Sequence, residues 1–102
     1  MKEYDIFVPL FYNNGIAIEQ IKFQELQDDL LERFEGLTYF PQANHGFWTF
    51  GDISYRDEIV IYRVISQDSA ASREYLSDLK EHLKRELQQQ DILIIEREVG
   101  LL

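Results

Sequence analysis

The chain has 102 residues, 45% hydrophobic and 14% aromatic, with 19 acids against 10 bases for a net charge of −9. This length implies one domain, residues 1–102, with enough apolar content to build a core rather than stay disordered. The negative charge repels phosphate backbones and anionic lipid, so neither nucleic acid nor a membrane surface is an expected partner.

The sequence has no Cys, which excludes disulfides, thiolate metal sites and Cys nucleophiles and suits a reducing compartment. Residues Met1–Asp5 include two acids, so no secretory leader is expected. The apolar run Ile92–Ile95 falls far short of a membrane span. A cytoplasmic location is the expectation.

Tyr4–Tyr12 (YDIFVPLFY) reads as a strand that is apolar on both alternating sets, which suits a central position. Pro9 cannot donate to a ladder, so a bulge or a local edge is expected there. Asn13-Asn14-Gly15 signals a turn. Glu19–Glu35 reads as a helix with the stripe Phe23, Leu26, Leu30 and Phe34. Six acids against Lys22 and Arg33 make this segment −4, and that acidic face reads as solvated rather than as a docking surface. Gly36 follows as a C-terminal stop.

Leu37–Phe40 begins an extended segment, which Pro41 and residues 42–44 interrupt before a strand over His45–Phe50. Gly51-Asp52 opens the connection to a strand over Tyr55–Ser66, again apolar on both faces and therefore central. Asp68-Ser69 caps a second helix, Ala70 to about Gln90, with the stripe Leu76, Leu79, Leu83 and Leu87. Its charges cancel, and Glu81–Arg85 has the favourable i,i+4 polarity. Asp91–Val99 is the last strand, polar in its second half.

The order β-α-β-β-α-β predicts an α+β, ferredoxin-like fold: a four-stranded antiparallel sheet with two helices on one face. The first and third strands are then central, as their two-sided apolar pattern requires. The other sheet face is left open, lined by Phe7, Phe11 and either Phe47 or Trp48. A homodimer through that face is the expected way to cover it.

The stretch 36–66 holds the only Trp, one of the two His and three of the five Gly. His45, with Tyr55 or Glu58, is the weak catalytic candidate, since a His beside carboxylates suits acid–base work. The spacing fits no metal motif, so no metal and no cofactor are expected. Asp57 and Glu58 are adjacent and point to opposite strand faces, so they cannot pair on one substrate. Arg56 and Arg63 are oddly spaced and do not form an anion clamp; salt bridges to the many acids are their expected use. No GxSxG and no phosphate-binding Gly-rich loop occur. The aromatics of this stretch, with Tyr39, Trp48 and Tyr62 as ligand-binding candidates, read first as core and dimer interface and second as the wall of a small-molecule pocket.

Gly36-Leu37-Thr38 after the first helix, Gly46-Phe47-Trp48 in the second strand and Asp57-Glu58 leading into Ile59-Val60-Ile61-Tyr62 carry a resemblance. The pattern resembles a bacterial domain-of-unknown-function family and, more broadly, is similar to dimeric α+β-barrel proteins. Some of those are small monooxygenases or heme-degrading enzymes, and the resemblance places no catalytic residue in this chain. The expected function is a homodimeric binding or assembly module. The alternatives are a small-molecule enzyme of the dimeric α+β-barrel type and a small-molecule-sensing regulatory domain.

Overall fold

Alternation with period two builds the sheet, and leucines at helical spacing build the two helices that cover it. The computed structural model describes residues 1–102, with the side chains of Trp48, Phe50, Ser54 and Tyr55 outside the described set. The elements are β1 (Lys2–Pro9), α1 (Gln20–Arg33), β2 (Leu37–Phe50), β3 (Ile53–Ser66), α2 (Ser69–Glu86) and β4 (Ile94–Glu98). All pairings are antiparallel, in one sheet of order β2-β3-β1-β4. The first and third strands are central, and the chain is α+β with the element order that a ferredoxin-like fold requires.

One face of the sheet supplies Tyr4, Ile6 and Val8 from β1 and Val60, Tyr62 and Val64 from β3. These join Leu26 and Leu30 of α1 and Leu76, Leu79 and Leu83 of α2 in a single core cluster. Each element therefore buries the stripe its spacing predicts, and Phe34 and Leu87 extend the stripes just past the helix ends. The acids of α1 from Glu25 onward lie exposed. Asp68 caps α2, its side chain accepting from the Ala71 N–H at 3.1 Å. Glu81 pairs with Lys84 at 3.5 Å, one residue short of the expected Arg85 partner.

Boundaries moved for local reasons. The first strand stops at Pro9 rather than Tyr12, because Tyr12-Asn13-Asn14-Gly15-Ile16 closes on itself. Tyr12 N–H donates to Ile16 O, Gly15 N–H to Tyr12 O, and Asn14 Oδ1 accepts from Ile16 N–H. Gly15 takes a φ of 84°, which only glycine adopts cheaply. Pro9 sits at a local edge: Phe7 N–H donates to Leu93 O on the β4 side, and beyond it β1 pairs only with β3. Its missing N–H therefore costs no ladder bond.

β2 and β3 form one long hairpin. The interruption at Pro41 is a register shift between Phe40 and Asn44, with the strand continuing through it. Phe50 pairs with Ile53, so Gly51-Asp52 is a two-residue turn, with the φ of Gly51 at 62°. α2 ends four residues early because Gln88 turns left-handed, φ 54°, and Gln89 N–H closes back on Lys84 O. Residues 91–93 then run in as a lead, with Ile92 buried in the core.

The open face of the sheet differs from the expectation of a wholly apolar surface. Its Glu3 and Asp5 on β1 face Arg63 on β3 and Arg97 on β4. Arg63 grips Asp5 with bonds of 2.7 and 3.0 Å, Arg97 adds one of 2.8 Å, and Glu3 holds both arginines at 3.1 Å. The Asp5 side chain is only 3% exposed. The apolar part of that face is the other end: Phe7, Ile59 and Ile61, all half-buried. Phe11 is not on the sheet; it bridges to Ala17 past the end of β1.

Candidate functional site

β1 has eight residues and the hairpin strands have fourteen each, so the hairpin outruns its neighbour. The β1 ladder ends at Pro9↔Ile59, and beyond that point Asn44–Phe50 pair only with Ile53–Ile59. A two-stranded ribbon thus projects past the sheet. Helix cover ends with the core residues, so the ribbon's two faces are left with cavities beside them.

On the helix side lies a cleft of about 860 Å³ between the ribbon, the turn at residues 11–15 and residues 89–91 after α2. That is within the range of small-molecule sites. Its walls are the rings of Phe11 and Tyr12, the ribbon residues Arg56 and Glu58, and Asp91. Asn13 closes one end by donating its amide to Gln88 O at 3.2 Å. Tyr12 is held from behind: its hydroxyl donates to Glu19 and accepts from Lys22 Nζ at 2.7 Å, and Lys22 also donates to Glu86 O at 3.1 Å. The Tyr12 hydrogen bond lowers the Glu19 carboxyl from its ordinary value, and the same hydroxyl raises the Lys22 ammonium.

Ladder parity puts His45, Phe47, Arg56 and Glu58 on one side of the ribbon. Arg56 Nη2 donates to His45 Nδ1 at 2.9 Å, and its guanidinium stands 5.8 Å from the Phe47 ring centre. His45 and Glu58 are direct cross-strand partners. Among the described residues, no ion pair involves Arg56 or Glu58. Asp91 lies 3.2 Å from Lys80. Of the three acids among the described residues along the cleft, Asp57 alternates to the other face of β3 and Asp91 is paired with Lys80, so Glu58 is the acid that shares the ribbon face with the base Arg56. No group of three or more His, Cys, Asp or Glu among the described residues is placed to hold a metal ion.

A second, apolar groove of about 310 Å³ lies on the open side, lined by Phe7, Pro9, Ile59, Ile61 and Leu93 with residues 44–47 along it.

The structure brings His45 and Glu58 together across the ribbon. The side chains of Tyr55 and Trp48, the other catalytic and ligand-binding candidates on the ribbon, lie outside the described residues. Tyr39 stacks on Tyr62, centroids 4.7 Å apart at 22°, away from both cavities. Tyr62 is 1% exposed and its hydroxyl is pushed up by burial and by Tyr39 beside it. Sequence reasoning assigned Arg56 to a salt bridge, and among the described residues it forms none, contacting His45 and Phe47 instead; Tyr12 and Asp91 were not singled out as site residues. The signal for Arg56 was its i,i+2 spacing to Glu58, which puts both on one strand face; Tyr12 and Asp91 reach the cleft only through the tertiary fold.

No family model matches the chain, and no curated protein matches it, so the family resemblance rests on its short motifs alone. Solved structures do match. A phage SAM lyase in complex with S-methyl-5′-thioadenosine aligns with a TM-score of 0.71 at 13% identity, over 95% of this chain and 80% of that one. The same kind of protein, a phage SAM lyase in the apo state, aligns at 0.70 and 14% identity, over 95% and 79%. At such identity the likeness is one of fold: this chain has the α+β architecture on which a small-molecule enzyme is built elsewhere.

Proposed function

We propose that this protein binds a small, positively charged nucleoside derivative in the 860 Å³ cleft beneath the β2–β3 ribbon. The observation that carries the reading is that cleft itself: ligand-sized, walled by two aromatic rings, with the Glu58 carboxylate on its ribbon wall. The aromatic rings suit the flat face of a base. The carboxylate suits a sulfonium or ammonium centre, and a strongly acidic chain concentrates such cations near its surface. The matched fold, seen with S-methyl-5′-thioadenosine in a phage SAM lyase, supports the adenosine sulfonium class as the first ligands to try.

Isothermal titration with S-adenosylmethionine (SAM) and with S-methyl-5′-thioadenosine tests this. Saturable binding of SAM with Kd below about 1 mM is expected. No heat with either compound sinks the reading. Chromatography of the same mixtures for newly released S-methyl-5′-thioadenosine separates an enzyme from a binding or sensing module.

A second reading concerns assembly, and the apolar groove at Phe7, Ile59 and Ile61 favours it. A second copy of the chain, meeting it across a two-fold axis, covers this half of the open face. The neighbouring Glu3, Asp5, Arg63 and Arg97 neutralise one another, so this face avoids the repulsion that a −9 chain meets elsewhere. Light scattering then gives a dimer mass for the wild type and a monomer mass for Ile61→Asp; a monomeric wild type at micromolar concentration removes this reading.

A further inference from the structure

We propose that Arg56 and Glu58 form a clamp for an α-amino-acid headgroup, so that the cleft distinguishes a ligand bearing a free carboxylate and ammonium from the bare nucleoside. The inference rests on the cleft being the small-molecule site.

The two residues stand two apart on β3, so they face the same way, about 7 Å apart along the strand. Opposite charges so placed ordinarily bridge each other. Here they do not: the Arg56 guanidinium turns to His45 Nδ1 at 2.9 Å and to the Phe47 ring, and no ion pair among the described residues takes up Glu58. Arg56 donates only one of its five N–H groups to His45 and keeps the others for an acceptor. A guanidinium presents paired donors that match a carboxylate. The contacts to His45 and Phe47 hold the side chain off Glu58, so its rotamer freedom is reduced before a ligand arrives.

Glu58, half-buried and opposite His45, supplies the acceptor for the ammonium. A zwitterion bound between them replaces the ion pair that the two side chains leave unmade. His45 Nδ1 accepts the Arg56 N–H at 2.9 Å and so sets the direction of that side chain.

Titration of four proteins with three probes tests the clamp. The proteins are wild type, Arg56→Gln, Arg56→Lys and Glu58→Gln; the probes are SAM, decarboxylated SAM and S-methyl-5′-thioadenosine. The wild type is expected to bind SAM about tenfold more tightly than either other probe. Arg56→Gln abolishes the preference over decarboxylated SAM and leaves the affinity for S-methyl-5′-thioadenosine within about twofold. Arg56→Lys keeps the charge but loses the paired donors, and recovers only part of the preference. Glu58→Gln weakens SAM and decarboxylated SAM together. Equal wild-type affinities, or a preference that survives Arg56→Gln, overturn the clamp while leaving the nucleoside site standing. No binding of any probe to the wild type overturns both. Thermal melts of the variants, with midpoints near that of the wild type, show that any loss is local.

Discussion

Tyr62→Ala destabilises the fold by about 4 kcal/mol, enough to leave a domain of this size partly unfolded at room temperature. Tyr62 is the largest of the fully buried side chains and sits on β3 between β2 and β1, with Tyr39 stacked on it. Truncation removes the ring, opens a cavity between the sheet and the helices, and strips Tyr39 of its stacking partner. Tyr62→Phe keeps the ring and its stacking on Tyr39 and removes only the hydroxyl, at a cost of about 1 kcal/mol. Urea melts of the two variants check the pair. Tyr62 lines neither cavity, so Tyr62→Phe is expected to leave the proposed ligand site unchanged; a loss of ligand binding without a stability loss would return Tyr62 to that site.

Asp5→Asn costs about 2–3 kcal/mol and lowers Tm by roughly 10 °C. Asp5 is a nearly inaccessible carboxylate in the central strand, and burial alone pushes its pKa up. The hydrogen bonds from Arg63 and Arg97, with their charges, outweigh that and hold it below the ordinary carboxylate value. An amide at that position places N–H groups against two guanidinium donors. The arginines are themselves a third or more exposed, at 34% and 44%, and Glu3 still holds them, which keeps the cost below that of a fully buried pair.

The pH dependence follows from the depressed folded pKa. The wild type's advantage over Asp5→Asn is full above about pH 4, where the unfolded carboxyl is ionised. It is lost as pH falls through the lower folded value. Urea midpoints of both proteins between neutral and acid pH measure this; a difference that stays constant on acidification removes the ion network as its cause.

These two residues also show where sequence reading succeeds. Alternation placed Tyr62 and Val64 on one face of a two-sided apolar strand, and that strand is central. The leucine stripes of both helices packed where 3.6-residue spacing puts them, because burial follows period directly. The sequence also left Arg63 to pair with some acid, but which acid depended on register. Asp5 meets Arg63 only because β1 and β3 align Pro9 with Ile59.

The site followed the same division. His45 and Glu58 were legible as chemistry-bearing residues of the hairpin, whereas their being opposite one another depended on the two-residue turn at Gly51-Asp52, which pairs Phe50 with Ile53 and sets the register from there. The cleft was not legible at all. It exists because β1 stops at Pro9 while the hairpin continues, because the Asn13–Gly15 turn folds back under it, and because Gln88 ends α2 in a left-handed turn that brings residues 89–91 beside the ribbon.

By itself the sequence determined the class of fold, the element order, the central strands and the faces that enter the core, since each depends on local periodicity and on burying apolar side chains from water. Tertiary structure decided the lengths at which strands part company, the partners of Asp5, and the meeting of Tyr12, Arg56, Glu58 and Asp91 around one cavity. Those depend on contacts between segments far apart in the chain, whose relative placement no local pattern encodes.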